Sequence, residues 1–308
     1  MQPSSEALDT LITIKDYIRW GASRFSEAGL FFGHGTVSAI DDAAAIVLHT
    51  LNLSYQLPDI YLDARLTRPE RKKIMGLFIR RINEKIPSAY LTHEAIFADF
   101  HFYIDERVLV PRSPIAELIK EQFSPWINAE NTHSILDLCT GSGCIAIACA
   151  YAFPGVKVDA VDFSEDALDV AAINVKTHDL SEQVYLLNSD LFTTVPDKQY
   201  DLIVSNPPYV SLDEWQELPQ EFHAEPEMGF KGGESGLDLV IRILAQAEQF
   251  LSKQGVLVVE VGSSAETLQK QFPEVPFYWL DFERGGDGVF LLTADQVSEY
   301  HELFYKSL

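Results

Sequence analysis

Ile135-Leu-Asp-Leu-Cys-Thr-Gly-Ser-Gly143, followed by Cys144-Ile-Ala-Ile-Ala-Cys-Ala-Tyr-Ala152, decides how this chain folds. The first half predicts a buried strand over 135–139 that runs into a glycine turn. The second half, small and apolar on every side, predicts a helix over 144–152. Gly141 and Gly143 let backbone approach a ligand where a Cβ would block it. A strand, a glycine turn and a helix in this order form the usual cradle at the carboxyl edge of an open α/β sheet.

Outward from this stretch the alternation continues. A strand over 156–161 precedes a helix over 165–175, and strands over 184–187 and 202–204 follow. After a long loop come a helix over 237–251, a strand over 256–261 and a helix over 265–272. Strands near 277–282 and 289–292 close the pattern, and two strands in succession predict an antiparallel edge. The expectation is an α/β, Rossmann-like domain with a mostly parallel sheet.

Toward the N-terminus the spacing is helical. Leu8, Leu11, Ile12, Ile18, Ala22 and Phe25 recur at helical intervals. Ser38 with Asp41 reads as a capping box, and Thr67-Arg-Pro-Glu70 as a better one that opens a helix ending before Pro87. That helix region, Arg65 to Lys85, carries Arg65, Arg68, Arg71, Lys72, Lys73, Arg80, Arg81 and Lys85. A solvated face is the plain reading of it, and a contact with RNA the sharper one. Residues 95–110 read as a β-hairpin, and Pro114 opens a helix through Phe123. The predicted domains are 1–92, helical and substrate-recognising; 93–112, a hairpin linker; and 113–308, the sheet domain.

The glycine turn alone does not separate a dinucleotide from other nucleosides. Asp162, about 20 positions after the turn, sits where a ribose-holding acid stands in both cases. Asp137 tips the balance. A carboxylate at the end of the first strand suits a cationic amino-acid moiety and is unwelcome beside a pyrophosphate. The cofactor expected is therefore S-adenosylmethionine, held by Asp137, Thr140, Gly141, Ser142, Gly143 and Asp162. Asp190 is expected to accept from the adenine amino group, with Leu191 and Phe192 against the ring, although a Ser-Asp turn explains Ser189-Asp190 as well.

Asn206-Pro-Pro-Tyr209 follows the fourth strand directly. An amide nitrogen is a poor nucleophile because its lone pair is delocalised. The Asn206 side-chain oxygen and the Pro207 carbonyl can each accept one N–H, and proline fixes the direction of that carbonyl. Holding both hydrogens aims the nitrogen and favours the charge that develops on it. Tyr209 is expected to stack on the planar amide, and Pro208 to line the site. Direct in-line transfer is expected, with no covalent intermediate and no metal.

Composition narrows the partners. The net charge is -23, and residues 111–308 hold 11 Lys+Arg against 32 Asp+Glu. Such a domain repels DNA and attracts basic partners. No apolar run approaches the roughly 18 residues of a membrane span. The polar opening of the chain lacks a signal-peptide pattern, so a cytoplasmic protein without membrane contact is expected. Cys139, Cys144 and Cys149 form no C-x-x-C pair, so no metal site or disulfide framework is indicated. Glu214, Glu217, Glu221, Glu225, Glu227 and Glu234 make the loop over 212–236 acidic, which suggests a lid or docking surface for a basic peptide.

Taken together, Leu136-Asp-Leu-Cys-Thr-Gly-Ser-Gly143, Asn206-Pro-Pro-Tyr209 and Val108-Leu-Val-Pro-Arg112 resemble the bacterial protein-glutamine methyltransferases. The resemblance covers nearly the whole chain. It implies a class I methyltransferase domain with a seven-stranded sheet, a helical domain joined by a hairpin, and methylation of a glutamine side-chain amide. It implies cofactor contacts at Thr140 to Gly143, Asp162 and Asn206. Val110-Pro-Arg-Ser-Pro114, Leu138-Cys139, His223-Ala-Glu-Pro-Glu227 and Gly285-Gly-Asp-Gly-Val-Phe290 look like the ribosomal branch. That branch implies as substrate the third large-subunit ribosomal protein, uL3, free or in assembling particles. Ribosomal RNA contact through the Arg65–Lys85 helix is a further expectation. The alternatives are the same chemistry on a release factor, a nucleic-acid adenine methyltransferase, which the charge disfavours, and a non-enzymatic cofactor-binding factor, which an intact Asn206–Tyr209 turn disfavours.

Overall fold

The structure is a computed structural model that describes residues 5–283 and 285–308. Two compact units divide the chain. The first holds the chain to Ala95, together with Ile104–Glu106 and Pro219–Glu225. The second holds Ile96–Tyr103, Arg107–Leu218 and Pro226–Leu308.

The first unit contains α1 (Ser5–Thr10), α2 (Ile14–Glu27), α3 (Ala39–Thr50), α4 (Arg68–Glu84) and α5 (Ser88–Thr92). The expected caps are present. The Ser38 hydroxyl accepts from the Asp41 N–H at 3.2 Å, and the Thr67 N–H donates to Glu70 at 2.7 Å. Tyr17, Phe25, Ile46, Ile74 and Phe78 are fully buried. Phe78 meets Phe25 edge-on at 5.2 Å. Gly21 makes that packing possible, since a Cβ there would stand 2.5 Å from the Phe78 ring.

A solvated basic face on α4 is only part of what the structure shows. Arg81 is 1% exposed. Its Nε donates to Asp42 at 2.8 Å and its Nη2 to the Phe31 carbonyl at 2.9 Å. Asp42 also accepts from Thr36 and from Ser88. Arg71 donates to the Leu8 and Leu11 carbonyls at 2.9 and 3.3 Å. The long guanidinium stems thus tie helices together, and Arg68, Lys72, Lys73 and Arg80 keep the exposed face.

The acidic loop is also corrected. Glu221 is buried and accepts from the Phe31 N–H at 2.9 Å. Glu225 is buried beside His34 Nε2 at 3.2 Å, and Phe222 lies against His34 with ring centroids 4.4 Å apart. These residues pack within the helical unit. Glu227 stays exposed while pairing with Lys231, so it is the burial of Glu221 and Glu225 that leaves only part of the acidity facing solvent.

The hairpin is β1 (Glu94–Phe97) and β2 (Phe100–Tyr103). Ala98 and Asp99 turn it with φ of 48° and 70°, the left-handed pair a two-residue hairpin needs. After α6 (Ile115–Lys120), the sheet unit runs β3 (Ser134–Leu138), α7 (Cys144–Ala152), β4 (Lys157–Asp162), α8 (Glu165–Thr177), β5 (Val184–Asn188) and β6 (Tyr200–Ser205). It continues with α9 (Leu212–Glu217), α10 (Asp238–Gln246), β7 (Leu251–Glu260), α11 (Ala265–Gln271), β8 (Tyr278–Leu280), β9 (Val289–Thr293) and α12 (Ala294–Tyr305).

The seven strands lie in the order β5-β4-β3-β6-β7-β9-β8. β9 is antiparallel to both of its neighbours, and the other paired strands are parallel. β3 sits at the switch point, with β4 on one side and β6 on the other, so a crevice opens beyond the carboxyl ends of β3 and β6. The hairpin expected over 95–110 is confined to Glu94–Phe97 and Phe100–Tyr103, and further elements differ from the sequence reading. The helix after Pro114 stops at Lys120, and Gln122 and Phe123 take left-handed φ of 50° and 54°. The helix over 237–251 ends at Gln246, because Leu251 already pairs with Tyr200 in the sheet. The last helix, α12, was not expected; its cap is Thr293, bonded to Gln296.

Candidate active site

The glycine turn is fixed from beneath. Asp137 is fully buried at the end of β3. Its Oδ2 accepts from the Thr140 hydroxyl at 2.5 Å and from the Ala146 N–H at 3.1 Å, so one carboxylate ties the turn to the start of α7. Among the described residues its Oδ1 has no hydrogen-bond partner. Burial pushes the Asp137 carboxyl up to about 7, against the pull of those two donors.

Asp162 ends β4. It accepts from the Gly141 N–H at 2.8 Å and from the Ser164 N–H at 2.9 Å. Burial raises this carboxyl as well. With the Gly141 N–H spent on the Asp162 carboxylate and a second carboxylate, Asp137, beneath the turn, the local charge is unfavourable to a pyrophosphate. A cationic, ribose-bearing cofactor fits this donor set. Gly141, with φ of 54° and open space where a Cβ would stand, leaves the turn accessible.

A cavity of about 1000 Å³ lies at these strand ends. Cys139, Thr140, Gly141, Ser142, Asp162, Asp190 and Asn206 line it, with Pro208 beside Asn206. Gly143 is buried behind, its φ of 79° being the left-handed entry to α7. Asp190 is bound to Arg242 at 2.8 Å. Leu191 is in a different place from the one expected. It is 4% exposed, with φ of 49°, and packs in the core together with Phe192, which stacks on Phe250 at 4.7 Å.

Asn206 to Tyr209 follows β6 at the cavity. The Asn206 side chain and the Pro207 carbonyl take part in no hydrogen bond among the described residues, which leaves two acceptors unpaired at the carboxyl end of the strand; Asn206 lines the cavity, whereas Pro207 is buried and does not. The turn itself is held firmly. Ser205 donates to the Leu138 carbonyl at 2.8 Å, Ser264 to the Tyr209 carbonyl at 2.8 Å, and the Val210 N–H to the Phe230 carbonyl at 2.8 Å. The Tyr209 hydroxyl donates to Glu260 at 3.0 Å.

Comparison with known proteins places the chain in a family. The Methyltransferase small domain profile matches residues 120–227. A ribosomal protein uL3 glutamine methyltransferase of Xanthomonas campestris pv. campestris is 52% identical over 294 residues, 96% of this chain and 95% of the relative. One from Neisseria meningitidis serogroup B is 49% identical over 95% of this chain and 97% of the relative. This chain belongs to the ribosomal protein uL3 glutamine methyltransferase family. Among solved structures, the hMettl16 catalytic domain in complex with a MAT2A 3′UTR hairpin has 17% identity and a TM-score of 0.49, covering 73% of this chain and 81% of that one.

Within this methyltransferase frame, two residues escaped the sequence reading. Asn174, fully buried on α8, donates to the Ser142 carbonyl at 2.9 Å and to the Tyr103 carbonyl at 2.9 Å, and accepts from the Tyr103 N–H at 2.8 Å. One amide therefore fixes the cofactor turn and β2. An asparagine in the middle of a helix is the signal, since its propensity there is poor. Phe163 is 67% exposed and lines the cavity directly after Asp162. A large exposed aromatic beside the ribose-type acid is a surface on which a planar base can rest.

Proposed function

We propose that this chain transfers a methyl group to the side-chain amide nitrogen of a glutamine in ribosomal protein uL3. The observation that carries the reading is the pair of open acceptors, the Asn206 side-chain oxygen and the Pro207 carbonyl, beside a cofactor turn. They match the two hydrogens of a primary amide. Asn206 and Pro207 accept those hydrogens, orient the nitrogen, and favour the positive charge that grows on it. The proton leaves to solvent once the nitrogen has lost its conjugation, so no buried base is required.

Thr140, Gly141 and Ser142 would hold the amino-acid end of the cofactor, on a turn positioned by Asp137. Asp162 would accept from its ribose, Phe163 would support its adenine, and Asp190, steadied by Arg242, would meet the adenine amino group. When bound there, S-adenosylmethionine supplies a methyl group on a sulfonium, reactive enough for direct displacement without a covalent intermediate.

The names of the relatives support uL3 as the protein acceptor. The exposed cations of α4, namely Arg68, Lys72, Lys73 and Arg80, extend the reading to ribosomal RNA contact during assembly. Arg81, buried on Asp42, takes no part in that contact.

The test offers the enzyme, with labelled S-adenosylmethionine, ribosomal particles from cells lacking it, free release factor, and DNA. Label on uL3 alone is expected. Label only on release factor would move the substrate assignment, and label only on DNA would overturn the amide reading.

A further inference from the structure

The aromatic ring of Tyr209 suggests a plate for a planar amide, but its surroundings give it a different task. The hydroxyl donates to Glu260 Oε1 at 3.0 Å, and the Ser113 hydroxyl donates to Oε2 of the same carboxylate at 2.5 Å. Glu260 is 5% exposed, and burial raises its carboxyl while the Ser113 and Tyr209 hydroxyls, and after them the Arg112 charge, draw it back. Ser113 in turn receives the Ile115 N–H at 3.2 Å, at the start of α6.

The ring is confined as well. Gly262, with φ of 45°, lies under it so closely that a Cβ would collide with Cε2. Gly288 closes on Gly262, its carbonyl accepting from the Val261 N–H at 2.7 Å and from the Gly262 N–H at 3.2 Å. Gly286 closes on Pro114, where a Cβ would stand 2.9 Å from the proline ring. The stretches over 110–114 and 285–290, remote in sequence, thus meet around the side chain of the fourth residue of the turn.

We propose that Tyr209 is a positioning residue: together with Glu260 and Ser113 it anchors the Asn206–Tyr209 turn, and its ring is not the plate on which the substrate amide stacks. The half-buried phenol is seated over Gly262, and the buried Glu260 carboxylate receives its hydroxyl. Two walls of the cavity, the 110–113 segment and the catalytic turn, are fixed on one carboxylate. Their spacing is set before substrate arrives, which is what aligning a weak nucleophile requires. The inference rests on the amide-transfer reading above and assigns Tyr209 a different role from stacking.

Tyr209→Phe decides between the roles, because it keeps the ring and removes only the hydroxyl. The anchor predicts kcat at least tenfold lower with little change in KM for S-adenosylmethionine. Glu260→Gln, which cannot accept from both hydroxyls in the same way, should lower kcat similarly. The double variant should be no worse than the poorer single one, since both break the same link. A second readout is independent of the acceptor: amide hydrogen exchange at Asn206, Tyr209 and Val210 should quicken in Tyr209→Phe. Should Glu260→Gln fail to fold, Ser113→Ala takes its place in the cycle. Tyr209→Phe with kcat within twofold of the parent and unchanged exchange, while Tyr209→Leu loses activity, would overturn the proposal and restore stacking. If the parent enzyme labels no amide at all, the functional reading fails, and the exchange result still decides whether the anchor exists.

Discussion

Each unit of this protein buries an aspartate completely, and the two are treated in opposite ways. In the helical unit Asp42 meets the Arg81 guanidinium at 2.8 Å and two hydroxyls. In the sheet unit Asp137 meets only neutral donors, the Thr140 hydroxyl and the Ala146 N–H, and one of its oxygens has no partner among the described residues. A buried charge with its counter-charge is architecture. It fixes helices and the segment after Pro219, and costs most when one partner is lost. A buried carboxylate without one is held at a free-energy cost beside a cavity built for a cationic ligand.

The largest effect expected from this contrast is on stability. Asp42→Ala leaves the buried Arg81 guanidinium with only the more distant Glu221 carboxylate, 3.9 Å from Nη1, and should cost about 3 kcal/mol in denaturant unfolding. Replacing both partners with apolar residues of similar volume should recover much of that loss. A cost below about 1 kcal/mol for the single change would mean that the pair is not what holds the unit together.

Asn174→Ala comes next. Loss of its bonds to Tyr103 and Ser142 leaves buried backbone groups unpaired, at about 1–3 kcal/mol. Because one of them belongs to the cofactor turn, S-adenosylmethionine affinity measured by calorimetry should also fall. Unchanged affinity would show that the turn holds its shape without α8.

Asp137 makes the contrast visible in pH. Its folded carboxyl titrates near 7, well above the roughly 3.9 of an unfolded aspartate. Between about pH 4 and 7 the folded state therefore holds a proton that the unfolded state has released, and stability falls as pH rises through that window. The Tm of Asp137→Asn, followed over the same range without cofactor, should lack this share of the slope. Parallel curves for parent and variant would remove Asp137 from the account. At the small end stands Arg80→Ala, exposed and, among the described residues, paired with Glu84 at 3.4 Å, with an expected change within about 0.5 kcal/mol.

The same two regions show what a sequence discloses. The sheet unit was legible because buried strands and amphipathic helices alternate with clear punctuation, and α7 was placed at its observed ends. The glycine turn, Asp162 and Asn206 could be read because each chemical type sits at a fixed offset from a strand end. The fate of Arg81 could not be read, since a cation on a helix looks the same whether its partner is solvent or an aspartate 39 positions away. Glu221 and Glu225 looked like loop acids because the groups they meet, the Phe31 N–H and His34, lie about 190 residues earlier. The Ala98–Asp99 turn lacks the Asn-Gly pattern that announces such hairpins, although the flanking aromatics showed the strands. The cap at Thr293 and Gln296 was a readable signal for the last helix that periodicity alone did not bring out. Leu191 misled because its apolar side chain serves a ring contact and a core equally well, and only the left-handed backbone at that position turns it inward.

The central claim is that the open acceptors at Asn206 and Pro207 hold the glutamine amide for transfer. The direct test is single-turnover methylation of uL3 in ribosomal particles by the parent enzyme and by Asn206→Ala, with S-adenosylmethionine affinity measured on both and the product located by mass spectrometry. The account predicts methyl on a glutamine side-chain amide, a rate lower by about 10²–10³-fold in Asn206→Ala, and cofactor affinity changed far less. Equal rates in the two proteins, or a methyl group on any other kind of atom, would contradict it.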